Sequence, residues 1–388
     1  MRAITFEPIR IGVLIRHQRI KMLKKQQFDF RSYKRMELLA RASVTQHATL
    51  YFFSGRSVNY KSKTVKGIYY DVESNEWKMK TFPFPDVLYD RLASRDKRSY
   101  SQKVRSVFNT HKIKKINSRS FFDKSEIYGK LQENEQVSMY IPETKSSPTN
   151  DDLQEWLKMY NTVYLKGIRS GRGRSVMRIE KIDDQKYRYS SFRDELEEGT
   201  AISFGELEVV IHRFYQDRPY IIQRAINLLE VDQRKIDFRA ELQRDGNGKL
   251  TIVGITGRVG QVHSPITTHA SAYKLEDLFA DVLHYDIERI EVLKENIDKF
   301  LYNMYVAIED LYGPFGEIGI DFGIDPDDNL WFIEPNAKSA KVSLLSAYDE
   351  QQYYKAFLHP VAYAKHIVRT PVHSPVAMNG WIRLSEYN

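Results

Sequence analysis

GEIGIDFGIDPDDNLWFIEPN, residues 316–336, carries two apolar runs on either side of an acidic turn. In the first run, strand alternation sets Ile318, Ile320, Phe322 and Ile324 on one face and Gly319 and Asp321 on the other. In the second, the same count gives Leu330, Phe332, Glu334 and Asn336 a shared face. Asp-Pro-Asp-Asp-Asn between them is strong turn chemistry. With residues 326–329 as the loop, Asp325 pairs with Leu330 and Asp321 falls opposite Glu334. Two carboxylates and an amide oxygen then converge on one patch. Unpaired carboxylates facing each other across a ladder repel. A hard divalent cation relieves that repulsion, and Mg²⁺ takes such oxygens together with phosphate oxygens. The competing reading is a hairpin whose acids point into water or meet Lys338 and Lys341.

Working outward, Ile290, Leu293, Ile297, Phe300, Met304, Ile308 and Leu311 recur at three- and four-residue steps, which predicts a long helix over 287–311. Strands are expected at 236–242 and 250–256. Further upstream, YLKGIRSGRGRSV, residues 164–176, places Lys166 at a strand end before a loop containing Gly171 and Gly173. Glycines let backbone N–H groups approach phosphate closely, and Lys166, Arg169, Arg172 and Arg174 can neutralise its charge. The order of a Walker A loop is absent, so an exposed turn or an arginine-glycine patch for nucleic acid fits the loop equally well. In FFDK, residues 121–124, Asp123 is a suitable helix N-cap. Lys124 in the first turn opposes the helix dipole, which points to chance or to a ligand.

The remaining sequence bounds the answer. The chain has 388 residues, 42% of them hydrophobic, and no cysteine, so disulfides, thiolate metal sites and cysteine nucleophiles are excluded. The net charge of +8 favours acidic partners such as nucleotides, nucleic acid or anionic polymers, or else a solvated basic face. No run is long enough for a signal peptide or a membrane span, which predicts a cytoplasmic protein. Short β-like runs at 9–15, 48–53 and 67–71 suggest a small α/β domain, and Pro83 and Pro85 before DVLYDR suggest a strand at a sheet edge. The expected organisation is an N-terminal α/β domain at 1–118, a small lobe at 119–225, a larger lobe at 226–369 and a tail at 370–388.

Taken in order, these pieces resemble the ATP-grasp superfamily, and more closely its endospore coat-associated YheC/YheD-type family. The residues that carry the resemblance are PDVLYDR (85–91), Phe122-Asp-Lys124, Asp237-Phe-Arg239, Gly257-Arg258-Val, and Glu317-Ile-Gly-Ile-Asp321 with Trp331-Phe-Ile-Glu334-x-Asn336. The resemblance spans roughly residues 85–340. It implies an α/β (α+β) fold with two lobes that sandwich ATP, and a small N-terminal α/β domain. Lys124 and Lys166 would contact phosphates, with Gly171 and Gly173 in the phosphate loop. Gln223, Arg224 and Ile226 would line the adenine hinge, largely through backbone groups. Arg239 and Arg258 would stabilise the transferring phosphate, and Asp321, Glu334 and Asn336 would bind Mg²⁺. The implied activity is an ADP-forming ligase that joins a carboxylate to an amine or other nucleophile through an acyl phosphate. The alternative is a non-catalytic nucleotide-binding or structural protein of the spore coat with acidic coat components as partners. Some positions depart from the pattern: Gly167 stands where proline is common, 266–273 lacks a glycine pair, and Ser339 follows Lys338 where proline is common. These departures fall on the substrate side more than on the nucleotide side.

Overall fold

The computed structural model describes residues 7–92, 99–169, 175–193, 195–262, 264 and 271–370. Gly171 and Gly173, with Arg172 and Arg174, lie outside the described residues, as do most of 266–273 and the tail from 371 onward.

Three sheets organise the chain. The first contains β1 (Arg10–Leu14), β2 (Thr49–Phe53), β3 (Val58–Asn59), β4 (Thr64–Asp71), β5 (Glu76–Pro83), β6 (Val87–Asp90) and β7 (Lys114–Lys115), in the order β3-β4-β2-β1-β6-β7 with β5 on β4. The strands β2, β1, β6 and β7 run parallel. The DVLYDR strand is therefore an inner strand and not the expected edge. It pairs with β1 on one side, and the short β7 covers its other side.

The second sheet contains β8 (Thr144–Ser146), β9 (Thr162–Gly167), β10 (Val176–Lys181), β11 (Tyr187–Phe192), β12 (Leu196–Ala201) and β13 (Tyr220–Arg224), in the order β12-β11-β10-β9-β13-β8. Helices Asn150–Tyr160 and Phe204–Tyr215 cover one face, burying Leu153, Trp156, Leu157, Leu207 and Ile211 against Val163, Leu165, Met177 and Ile179.

The third sheet contains β14 (Glu230–Val231), β15 (Arg234–Arg244), β16 (Leu250–Val259), β17 (Ser271–Lys274), β18 (Glu317–Ile324) and β19 (Leu330–Asn336). Its order is β17-β16-β15-β18-β19, with β14 on β15. Alternation along β15 and β18 sorts the residues. Ile236, Phe238, Ala240, Leu242, Ile318, Ile320, Phe322 and Ile324 join the core under helix Ile287–Tyr312, whose Leu293, Ile297, Phe300, Met304 and Ile308 face them. Burying each of these large side chains stabilises the fold by ~1.5–3 kcal/mol. Asp237, Arg239, Glu241, Glu317, Gly319 and Asp321 occupy the other face. Helix Lys124–Gln132 joins the same core through Ile127, Tyr128 and Leu131. Helix Glu350–Arg369 packs on helix Tyr33–Thr45 and on β15 and β16 of the third sheet, and reaches β7 of the first.

The acidic hairpin departs from simple alternation in an informative way. Ile324, not Asp325, pairs with Leu330, and a β-bulge between Asp321 and Phe322 shifts the register so that Asp321 still pairs with Glu334. Phe322 pairs with Phe332, leaving Ile333 as the extra residue. Paired residues share a face. Leu330 and Phe332 therefore belong to the core, whereas Glu334 and Asn336 stand on the opposite face beside Asp321 and Gly319. The single face expected for all four residues is thus divided by the bulge. The extra residue lets one short strand fill the core with its first half and present polar groups with its second.

Candidate functional site

Seven strands, β8, β9, β13, β15, β16, β18 and β19, and one helix terminus carry the polar face. Asp123 caps helix Lys124–Gln132 by accepting from the Ser125 and Glu126 backbone N–H groups. The Lys124 backbone N–H donates to the Ile168 carbonyl at 3.2 Å, which ties the helix start to the end of β9. The Lys124 side chain is buried, and its Nζ donates to Glu334 Oε2. Lys166, on β9, donates to Gln223 Oε1 at 2.5 Å, and Gln223 Nε2 donates to Thr144 Oγ1 at 2.8 Å. Burial and the nearby Lys124 charge lower the Lys166 ammonium to about 8, with Glu334 pulling the other way.

On the third sheet, Asp321 is 4% exposed. It accepts from Arg239 Nε and, at 2.7 Å, from Arg239 Nη2. Arg258 Nη2 stands 3.4 Å from the same carboxylate and grips Asp237 through Nε at 2.6 Å and Nη2 at 2.7 Å. Burial opposes ionisation of Asp321, but Arg239 and Arg258 outweigh it and hold the carboxyl below the usual carboxylate range. The Asn336 amide approaches Asp321 Oδ2 at 3.4 Å.

The repulsive carboxylate pair expected from the sequence is therefore not what forms. Asp321 and Glu334 do lie opposite each other, but each has its own cation, Arg239 for one and Lys124 for the other. Lys338 and Lys341 take other partners, Asp90 and Glu317. Counting Lys124, Lys166, Arg239 and Arg258 against Asp237, Asp321 and Glu334 leaves an excess of one positive charge. Such a patch suits a polyanion that can displace carboxylates from their cations.

The donor set also bears on a metal. Among the described residues, no group of three or more His, Cys, Asp and Glu side chains is close enough to hold a metal ion. Two carboxylates and one amide oxygen do not make a closed protein cage. They fit Mg²⁺, which is held through one or two carboxylates and completes its shell with water and phosphate oxygens.

The expected hinge residues lie at one end of the second sheet. Arg224 closes β13, its guanidinium 5.0 Å from the centre of the Trp331 ring, and half-buried Ile226 follows in the connection to the third sheet. The Gln223 side chain is taken by Lys166 and Thr144. Sequence reasoning missed Thr144, which orients Gln223, and Tyr128, whose hydroxyl donates to the bulged Ile333 carbonyl. Neither carries a motif; a buried tyrosine on an apolar helix face reads as core.

Comparison with known proteins agrees with this fold. A family model described as YheC/D like ATP-grasp matches residues 112–367. The endospore coat-associated protein YheD of Bacillus subtilis is 25% identical over 321 residues, covering 80% of this chain and 70% of that protein. Among solved structures, D-alanyl-alanine synthetase A of Vibrio cholerae superposes with a TM-score of 0.54 at 11% identity, over 93% of this chain and 99% of that one. The ATP-grasp ligase PsnB, solved with a precursor variant, Mg and ADP, gives a TM-score of 0.50 at 11% identity, over 90% and 98%. At such identities the structural likeness speaks for the fold. No helix among the described residues is long and apolar enough to cross a membrane.

Proposed function

The chain belongs to the YheC/D-like ATP-grasp family, and we propose that it is an ATP- and Mg²⁺-dependent ligase that joins a carboxylate to an amine or other nucleophile. The observation that carries this reading is the convergence of Lys124, Lys166, Arg239 and Arg258 on a face that also presents Asp321, Glu334 and Asn336. In this reading the nucleotide lies between a small lobe, 119–225, and a large lobe, 226–369, with 1–118 as a separate N-terminal domain. The phosphates lie on the lysines, and the adenine lies against Gln223, Arg224 and Ile226. Gly171 and Gly173 belong to the loop that would cover the phosphates. Lys124 would give up its bond to Glu334 for a phosphate oxygen, and Glu334, Asp321 and Asn336 would hold Mg²⁺. Bound there, Mg²⁺ would neutralise phosphate charge.

The chemistry asks little of the protein beyond positioning and charge. A substrate carboxylate oxygen attacks the γ-phosphorus, the bond from that phosphorus to the bridging oxygen breaks, and ADP leaves with the electron pair. The nucleophile then attacks the acyl carbon and phosphate departs. In this reading Arg239 and Arg258 receive the charge of the transferring group. Both stay protonated throughout, because the carboxylates beside them raise guanidinium values that are already high, against the opposing effect of burial.

A second reading follows from the name of the curated relative. The protein then serves at the endospore coat and binds nucleotide without turning it over. Product analysis separates the two. Incubation with Mg²⁺·ATP and pools of amino acids and carboxylates should release ADP and phosphate in the first case. Bound but unspent ATP supports the second. AMP and pyrophosphate as main products would contradict the ligase reading.

A further inference from the structure

The loop that follows the metal-binding end of β19 is gripped by the N-terminal region at nearly every residue. Asn117 Nδ2 donates to the Ala337 carbonyl at 2.8 Å. Lys338 Nζ reaches the Leu92 carbonyl and stands 3.6 Å from Asp90. Arg91 Nη2 donates to the Ser339 carbonyl at 2.6 Å, and Arg35 Nη1 to the Ala340 carbonyl at 2.7 Å. Lys341 Nζ donates to Glu317 Oε2 at 2.6 Å, and the other oxygen of Glu317 accepts from Arg91 Nη1. Arg91 therefore spans two anchors at once, one on β18 and one on the loop.

From the loop the contacts run inward to the site. Ser339, 4% exposed, donates its hydroxyl to Glu241, and Arg239 Nη1 approaches that hydroxyl at 3.4 Å. Arg239 is the residue that holds Asp321. A Cβ at Gly319 would stand 3.2 Å from both Ser339 Cβ and Arg239 Cδ, so the side chains of Ser339 and Arg239 close over the Gly319 backbone beside Asp321. Lys341 adopts a left-handed conformation at φ 54°, uncommon for a lysine and here fixed by its buried ion pair.

We propose that Arg91, from the N-terminal region, is a positioning residue for the metal site. By tying Glu317 to the Ser339 carbonyl it sets both the end of β19, where Glu334 and Asn336 lie, and the Arg239–Asp321 pair. The inference rests on the ligase reading above, which places Mg²⁺ on these three residues. An ammonium at position 91 keeps the charge but cannot bridge two acceptors as a planar fork does. Partners behind metal ligands are worth ~10–100-fold in metal affinity.

The test uses the full chain with Arg91→Lys, Arg91→Met and Ser339→Ala, the last removing only a hydroxyl. ATP binding is titrated with Mg²⁺ by calorimetry and, separately, measured in excess chelator. The apparent Mg²⁺ constant should weaken by about tenfold or more in both Arg91 variants, in line with lost support behind the ligands. Ser339→Ala should shift in the same direction, and metal-free ATP affinity should hold throughout. Three results overturn the proposal: wild-type Mg²⁺ dependence in the Arg91 variants, wild-type dependence in Ser339→Ala, or equal loss of ATP affinity with and without metal. Wild-type protein that shows no Mg²⁺-dependent ATP binding would defeat the ligase reading itself and this inference with it. Variants that match a binding wild type defeat the role of Arg91 alone.

Discussion

Glu334→Gln separates the paired site seen in the structure from the repulsive one read off the sequence. The Glu334 side chain is 22% exposed and holds Lys124 Nζ, whose side chain is 10% exposed. Glutamine keeps the shape and one acceptor oxygen but removes the charge, leaving a nearly buried ammonium against a neutral partner. Removing one member of a fully buried pair costs ~3–5 kcal/mol. The partial exposure of Glu334 and the retained oxygen bring the expected loss down to about 1–3 kcal/mol, the range of a hydrogen bond to a charged group. Had Asp321 and Glu334 faced each other unpaired, the neutral substitution would have left the metal-free protein as stable or more so. Urea unfolding in chelator gives the sign. Adding Lys124→Met to Glu334→Gln removes the orphaned cation and should recover part of the loss. Metal-free stability within ~0.5 kcal/mol of wild type, together with an unchanged Mg²⁺ titration of ATP binding, would refute both the ion pair and the ligand role.

Three further outcomes follow from the structure. Lys166 is charged at neutral pH and sheds its proton as pH rises through about 8, so ATP affinity should fall between pH 7 and 9 and Lys166→Met should flatten that profile. Its effect on stability has the opposite sign. The unfolded lysine keeps its proton up to the ordinary 10.5, so between about 8 and 10.5 the unfolded state binds more protons and stability gains with pH; a wild-type minus Lys166→Met difference that declines with pH would contradict the burial of this group. Gly313 ends helix Ile287–Tyr312 at φ 82° and ψ 178°, a conformation open essentially to glycine alone, and an added Cβ would meet Ser118 Oγ at 2.8 Å. Gly313→Ala should therefore cost about 1–3 kcal/mol in chemical denaturation, and wild-type stability would show that the helix end can relax.

What the sequence made legible was periodic or ordered. The stripe from Ile290 to Leu311 yielded the long helix nearly to the residue, because apolar spacing over many turns has few alternative readings. The pairing of Asp321 with Glu334 was also readable, but by a count that went wrong twice and cancelled. The turn begins one residue earlier than expected, and the bulge at Ile333 restores the register. No local signal marks that bulge. It is fixed by the need to bury Phe332 while keeping Glu334 out of the core. The partners of the acids were equally hidden. Lys124 and Glu334 are 210 residues apart, and Arg91 and Ser339 are 248 apart. Such pairs depend on how sheets are stacked, which hydrophobic alternation does not encode. Ser339 gave a faint signal by standing where proline is common, and its hydroxyl now proves to be the contact between the loop and Glu241. The inner position of the DVLYDR strand was missed because its cover, β7, is only the two lysines Lys114 and Lys115, which read as a basic connection.

The central claim is that this chain holds ATP through its lysines and Mg²⁺ through Asp321, Glu334 and Asn336. Thermal melting of the purified chain in ATP, with and without Mg²⁺, tests it most directly, since a ligand of the native state must stabilise it, by about 2.7 kcal/mol at a hundredfold excess over the dissociation constant. The account predicts a clear rise in melting temperature with ATP and Mg²⁺ together and a smaller one with ATP in chelator. A melting temperature unmoved by saturating Mg²⁺·ATP would contradict it.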